Sequence, residues 1–152
     1  MLATFTRLTL RALDRAASLL PRKKELPEHL IIGKRGEETA YFYLRGLGYV
    51  FVARNYRSPN SRSEVDLIGW DKDVLCFVEV KTRTSRSVKP AEAAVDSSKQ
   101  RDLSIVAQEF LRKLKTHAPC RFDVISIYFE NQARPEIELF KDAFRLSRGN
   151  RA

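Results

Sequence analysis

Three apolar segments follow one another between residues 49 and 82, and they constrain the fold of this chain more than any other feature. Tyr49–Tyr56, Val65–Trp70 and Val74–Thr82 are rich in β-branched and aromatic residues, and polar residues typical of turns separate them. Asp71-Lys72-Asp73 forms a tight connection between the last two. The pattern predicts a three-stranded antiparallel meander.

A helix is predicted before the meander. From residue 36 to residue 48 the apolar side chains recur at helical spacing, and Gly48 is typical of a left-handed helix end. Glu37 precedes Ala40 and Leu44 by three and seven residues, so its carboxylate starts on the helix face that should meet the core.

A second helix is predicted after the meander, where Ser97 and Gln100 have the spacing of a capping box. Its apolar stripe consists of Leu103, Val106, Ala107, Phe110, Leu111 and Leu114. Phe122–Phe129 predicts a further strand and Ile137–Phe140 a short one. We therefore expect a mixed α and β domain in the order α-β-β-β-α-β, with a mixed central sheet flanked by helices.

The chain divides into a basic amphipathic extension with a linker (residues 1–32), the domain (33–146) and a charged tail (147–152). Arg7, Arg11 and Arg15 interrupt the apolar residues of the extension, which excludes a membrane span there. An Arg-rich start fits an organelle transit peptide, a surface-lying helix or a plain accessory helix.

Charge and cysteine usage indicate the kind of partner and compartment. Lys and Arg total 28 against 19 acidic residues, a net charge of +9, which favours a polyanionic partner such as nucleic acid. Cys76 and Cys120 have the setting of unpaired thiols, which indicates a reducing compartment, the cytoplasm. His29 and His117 are far from any cysteine pair, which excludes structural zinc.

Two pairs of charged residues lie inside the predicted meander. Residues two apart in a strand share a face, so Glu64 with Asp66, and Glu79 with Lys81, project together. A turn at 71–74 would set Asp66 opposite Glu79 and Glu64 opposite Lys81. Facing carboxylates normally destabilise a sheet, and a divalent cation such as Mg²⁺, bound by carboxylates, a backbone carbonyl and water, would compensate.

A bland explanation exists for each of these charges. A Glu-x-Lys triplet such as Glu79-Val80-Lys81 arises by chance in about one of two chains of this length. The exposed face of an antiparallel sheet also carries such residues without function. The neighbouring residues Leu67, Phe77 and Val78 are apolar, however, which indicates a sheet buried on both faces and favours a functional site.

Residues 33–144 also resemble a known protein family. They resemble a widespread bacterial endonuclease-like family of the PD-(D/E)xK superfamily, distantly related to archaeal Holliday junction resolvases. The matching segments are Gly36-Glu37 with Ala40, Asn55-Tyr56-Arg57, Glu64-Val65-Asp66-Leu67-Ile68, Phe77-Val78-Glu79-Val80-Lys81-Thr82-Arg83, Ser98-Lys99-Gln100, Arg121-Phe122-Asp123-Val124 and Lys141-Asp142-Ala143-Phe144. Ser63 and Lys89 stand where the family usually has glycine, which bears on loop shape and substrate fit.

The resemblance implies a restriction-endonuclease-like core and divalent-metal-dependent hydrolysis of phosphodiester bonds, with branched DNA as a candidate substrate. It makes Asp66 and Glu79 ligands of Mg²⁺ or Mn²⁺, with Glu37 the helix carboxylate beside the metal. Lys81 is by similarity the catalytic lysine, and Glu64 is an accessory candidate.

Basic and polar residues flank the predicted strand ends and the start of the second helix, where phosphate contacts would position nucleic acid without reading its sequence. These candidates for nucleic-acid binding are Arg54, Arg57, Arg83, Lys99 and Gln100. As the bland alternative, such residues form a solvated rim.

Two other functions compete with the enzyme. Ile31-Ile32-Gly33-Lys34-Arg35-Gly36 resembles the GxxG loop of KH domains, although that topology leaves Asp66, Glu79 and Lys81 unexplained. A nuclease fold that binds nucleic acid or a protein without cutting is the stronger rival. Cleavage of junctions would favour a two-fold homodimer.

Overall fold

The computed structural model describes residues 26–85, 95–130 and 134–146, which form two helices and five strands. In chain order these are α1 (Glu28–Gly46), β1 (Val50–Arg57), β2 (Glu64–Asp71), β3 (Val74–Arg83), α2 (Ser97–Leu114), β4 (Cys120–Tyr128) and β5 (Glu136–Phe144). The predicted mixed α and β fold is confirmed, and the ends of the first four strands lie within two residues of their predicted positions.

The five strands form one mixed sheet in the order β1-β2-β3-β4-β5. β1, β2 and β3 are antiparallel neighbours, which confirms the meander, whereas β4 lies parallel to β3 and antiparallel to β5. The β2–β3 register is the predicted one from Asp71↔Val74 to Leu67↔Val78. The ladder ends there, one step before Asp66 and Glu79.

Each face of the sheet carries its own apolar core, as predicted. On one face the buried residues include Ala40, Leu44, Leu67, Val78 and Ile125. On the other face they include Leu103, Val106, Phe77 and Phe122. Leu114, predicted to close the apolar stripe of α2, is 43% exposed and lies outside the core. The central strand β3 is therefore buried from both sides.

Helix α1 begins at Glu28, eight residues before its predicted start at Gly36. The predicted boundary between residues 32 and 33 thus lies inside a helix. The KH alternative is wrong, because its loop at 33–36 is helical. The first turns expose Leu30 and Ile31, so no buried periodicity marks them in the sequence. Residues 1–25 and 147–152, assigned to the extension and tail, lie outside the described residues.

Helix α2 begins at the predicted residue but with a different cap. The side chain of Asp96, not Ser97, accepts a hydrogen bond from the backbone N–H of Lys99 at 2.8 Å. Gln100 donates its side-chain amide to the carbonyl of Val95 at 2.9 Å. Asp is as strong an N-cap as Ser, and its position one residue earlier completes the first turn.

Strand β5 extends to Phe144, four residues beyond its predicted end. The buried carboxylate of Asp123 accepts a hydrogen bond from the N–H of Asp142 at 3.0 Å, where Asp142 has a left-handed backbone with φ 54°. This tertiary contact holds the second half of the strand, so no local pattern could predict it. No helix in the described part of the chain is long and apolar enough to cross a membrane.

Gly36 brings α1 close to β3. It is buried in the middle of the helix, and a Cβ atom placed on it would lie 1.8 Å from Oγ1 of Thr82. A side chain at this position would therefore push the helix away from the sheet. The close approach also sets the position of the next residue, Glu37, relative to β3.

Gly36→Ala should lower the free energy of unfolding by about 1–3 kcal/mol, because the added methyl group overpacks the α1–β3 contact. Gly33→Ala is the matched control in the same helix, since nothing lies within 4 Å of its added Cβ. The control should raise stability by about 0.5–1 kcal/mol through helix propensity. Urea denaturation of both variants measures the difference, and equal stabilities would contradict the close packing.

Candidate functional site

Two carboxylates lie beside each other where the β2–β3 ladder ends. Glu79 in β3 is buried, with 6% of its surface exposed, and Asp66 in β2 is half-buried. Burial and the neighbouring charge of Glu79 raise the pKa of Asp66 to about 7. The folded structure thus favours the protonated form of Asp66, and a bound positive charge would act in the opposite direction.

A backbone group of β3 holds Asp66 in place. The N–H of Val80 donates a hydrogen bond to Oδ2 of Asp66 at 2.6 Å, and this bond opposes part of the rise in its pKa. The side chain of Asp66 thus accepts a backbone hydrogen bond from the adjacent strand, just beyond the last residue pair of the β2–β3 ladder. Sequence reasoning placed Asp66 near Glu79 but did not identify this backbone donor.

Two lysines approach Glu79. Lys81 donates from Nζ to Oε1 of Glu79 at 2.7 Å, and Nζ of Lys99, from the first turn of α2, lies 3.6 Å from the same oxygen. Oε2 of Glu79 is buried and has no hydrogen-bond partner among the residues that the structure describes. A buried carboxylate oxygen without a partner is costly, so this atom marks a place where a further positive group would be favourable.

Glu37 reaches the same region from α1. Its Oε2 accepts a hydrogen bond from Nδ2 of Asn55 at 3.1 Å, and its charge adds to the rise in the pKa of Asp66 after burial and Glu79. The structure thus places Glu37, Asp66, Glu79 and Lys81 near one another. Asn55 was missed as a site residue, although it belongs to a segment that carries the family resemblance.

The donor set suits a hard divalent cation. Within residues 26–85, 95–130 and 134–146, no three His, Cys, Asp or Glu side chains converge closely enough to hold a metal ion by themselves. Asp66 and Glu79 instead offer two carboxylates, one with an unpartnered oxygen. Mg²⁺ is commonly held by one or two carboxylates together with water and substrate oxygens, so the residues fit this ion.

Two of the predicted phosphate-binding arginines have partners in the protein. The guanidinium group of Arg54 stacks on the ring of Tyr41, 4.7 Å from its centroid. Arg57 forms an ion pair with Glu64, its neighbour in the β1–β2 ladder. Glu64 therefore faces β1 rather than Lys81, and its predicted pairing with Lys81 is absent from the β2–β3 ladder.

The other predicted nucleic-acid contacts differ in their availability. Lys99 lies at the site and is about one-third exposed. Arg83, at the end of β3, is half-buried, and within the described part of the chain its Nε atom has no hydrogen-bond partner. The amide of Gln100 is engaged with the backbone of Val95. Lys99 and Arg83 are therefore better placed for a phosphate contact than Gln100, whose side chain is already engaged.

Comparison with known proteins identifies relatives along most of the chain. The profile of the uncharacterised protein family UPF0102 matches residues 36–127. A UPF0102 protein of Koribacter versatilis (strain Ellin345) is 51% identical over 143 residues, which cover 94% of this chain and 96% of that protein. A UPF0102 protein of Solibacter usitatus (strain Ellin6076) is 41% identical over 133 residues, 87% of this chain and 97% of that protein.

The raised pKa of Asp66 has a consequence for stability without metal. Between the unfolded pKa, near 4, and the folded pKa of about 7, the folded chain keeps a proton that the unfolded chain has lost. The contribution of Asp66 to stability should therefore fall as pH rises through this range and stay constant above it. Asp66→Asn cannot ionise, so it should lack this loss.

Urea denaturation in the presence of chelator tests this prediction from about pH 5 to about pH 8, because titrating groups that do not interact with Asp66 cancel in the difference between the two proteins. The stability of Asp66→Asn relative to the parent should increase with pH. A constant difference across this range would show that Asp66 is ionised throughout.

Proposed function

We propose that this chain, which belongs to the uncharacterised protein family UPF0102, is a divalent-cation-dependent endonuclease that hydrolyses phosphodiester bonds in nucleic acid. The supporting observation is the placement of Asp66 and Glu79 beside each other in the interior, with Lys81 on Glu79 at 2.7 Å. Neighbouring like charges are unfavourable in a fold, so two carboxylates placed side by side are expected where chemistry requires both.

In the proposed site, different residues bind the cation, activate the water and contact the phosphate. Asp66 and Glu79 would hold Mg²⁺ or Mn²⁺, with Glu37 as a third candidate ligand. When bound, the cation would supply positive charge against the negative charge that develops on the phosphate. Lys81 orients and activates the attacking water. Lys99, in the first turn of α2, contacts a phosphate oxygen of the substrate.

The net charge of +9 supports a polyanionic substrate, and we propose DNA, including branched DNA. Arg83, in β3, would contact phosphates beside the site. Arg54 and Arg57, in β1, would contact phosphates farther from it. These contacts position a backbone without selecting bases. A two-fold homodimer would present two such sites to a junction.

One observation favours a second candidate, a protein that binds nucleic acid without cutting it. Lys81 and Lys99 both approach Oε1 of Glu79, so the charge of this carboxylate is compensated by the protein itself. A silent relative of a nuclease could keep this arrangement for stability alone. Cleavage of a panel of duplex, single-stranded and branched substrates, with Mg²⁺, Mn²⁺ or chelator, separates the two functions.

Lys81→Ala should slow cleavage about 100-fold or more under single-turnover conditions, because it removes the group that activates water. Substrate binding in the presence of Ca²⁺ should change much less. Lys72→Ala is the matched control, since Lys72 is exposed in the β2–β3 turn at the far end of β3. A Lys81→Ala protein that cleaves as fast as this control would disprove the role of Lys81.

A further inference from the structure

Asn55 has an unusual backbone for a residue inside a strand. Its φ is 49°, in the left-handed region, although both neighbours in β1 pair regularly with β2. Residues other than glycine rarely adopt this backbone conformation, and asparagine tolerates it better than most. Such an outlier indicates a local constraint that the rest of the structure maintains.

The side chain of Asn55 indicates what the constraint achieves. Asn55 is exposed on the edge strand of the sheet, so its side chain does not fill the core. Its Nδ2 donates to Oε2 of Glu37 at 3.1 Å, a bond that joins β1 to α1 across 18 residues of chain. The same carboxylate lies close enough to Asp66 for its charge to act there.

We infer that Asn55 is a positioning residue for the cation site: its left-handed backbone turns the amide toward α1, and the amide holds one oxygen of Glu37. The charge of the same carboxylate acts on Asp66, so its orientation bears on the cation site. This role rests on the proposed function, because Glu37 is there a candidate ligand. Hydrogen bonds to ligating carboxylates commonly set their orientation, and their loss weakens metal binding about 10- to 100-fold.

A purely conformational role for Asn55 makes a different prediction. If asparagine is present only because it tolerates positive φ, glycine should replace it without loss, since glycine adopts this region freely. If the amide positions Glu37, glycine should fail although the backbone is unchanged. Asn55→Gly therefore separates the two roles in a way that Asn55→Ala, which also strains the backbone, does not.

Calorimetric titration with Mn²⁺ alone, without nucleic acid, provides the test. Asn55→Gly should raise the Kd for Mn²⁺ about tenfold with an unchanged melting temperature of the metal-free protein. Lys72→Gly is the matched control, because Lys72 also has a left-handed backbone, with φ 56°, but lies in the β2–β3 turn. Its Kd should equal that of the parent.

A double-mutant cycle identifies Glu37 as the intermediary. In a Glu37→Ala background, Asn55→Gly should have no further effect on the Kd for Mn²⁺. An unchanged Kd for Asn55→Gly, or full additivity of the two substitutions, would overturn the positioning role while leaving the proposed function intact. A parent protein that binds no Mn²⁺ would overturn both.

Discussion

The repulsion between Asp66 and Glu79 is the interaction on which the site depends. Burial strengthens it, and burial first and the charge of Glu79 second raise the pKa of Asp66. Nearby groups offset it from different elements: the N–H of Val80 on Asp66, and Lys81 and Lys99 on Glu79. One oxygen of Glu79 still has no hydrogen-bond partner in residues 26–85, 95–130 and 134–146. The fold thus holds a partly compensated negative centre whose remaining charge a cation can balance.

A second polar network stabilises the opposite end of the meander. Asp71 accepts hydrogen bonds from Arg121 at 2.6 Å and from Lys141 at 2.8 Å, and these bonds lower its pKa. Arg121 also pairs with the buried Asp123, which fixes β5 through Asp142. Asp71 lies about 17 Å along β2 from Asp66, at roughly 3.4 Å per residue. The Arg121–Val124 and Lys141–Phe144 segments therefore serve the architecture, whereas the segments around Glu37, Asp66 and Glu79 form the proposed site.

Local pattern was sufficient for the meander because a buried strand alternates with polar turns, and the tight connection at Asp71 then determined the β2–β3 register. It failed where tertiary contacts decide. Helix α1 extends to Glu28 without a buried stripe, and Asp142 lengthens β5 through Asp123. In the site, spacing indicated the two carboxylates and Lys81, but the contact of Asn55 with Glu37 depends on a backbone angle that no periodicity reveals.

Thermal unfolding of the parent and Asp66→Asn, each with Mn²⁺ and with chelator, tests the proposed cation site most directly. A ligand that binds only the folded state stabilises it by about 2.7 kcal/mol at a hundredfold excess over its Kd. We expect Mn²⁺ to raise the melting temperature of the parent, and Asp66→Asn to lose most of this rise while being at least as stable as the parent in chelator. Equal rises in both proteins, or a strongly destabilised Asp66→Asn in chelator, would contradict the site.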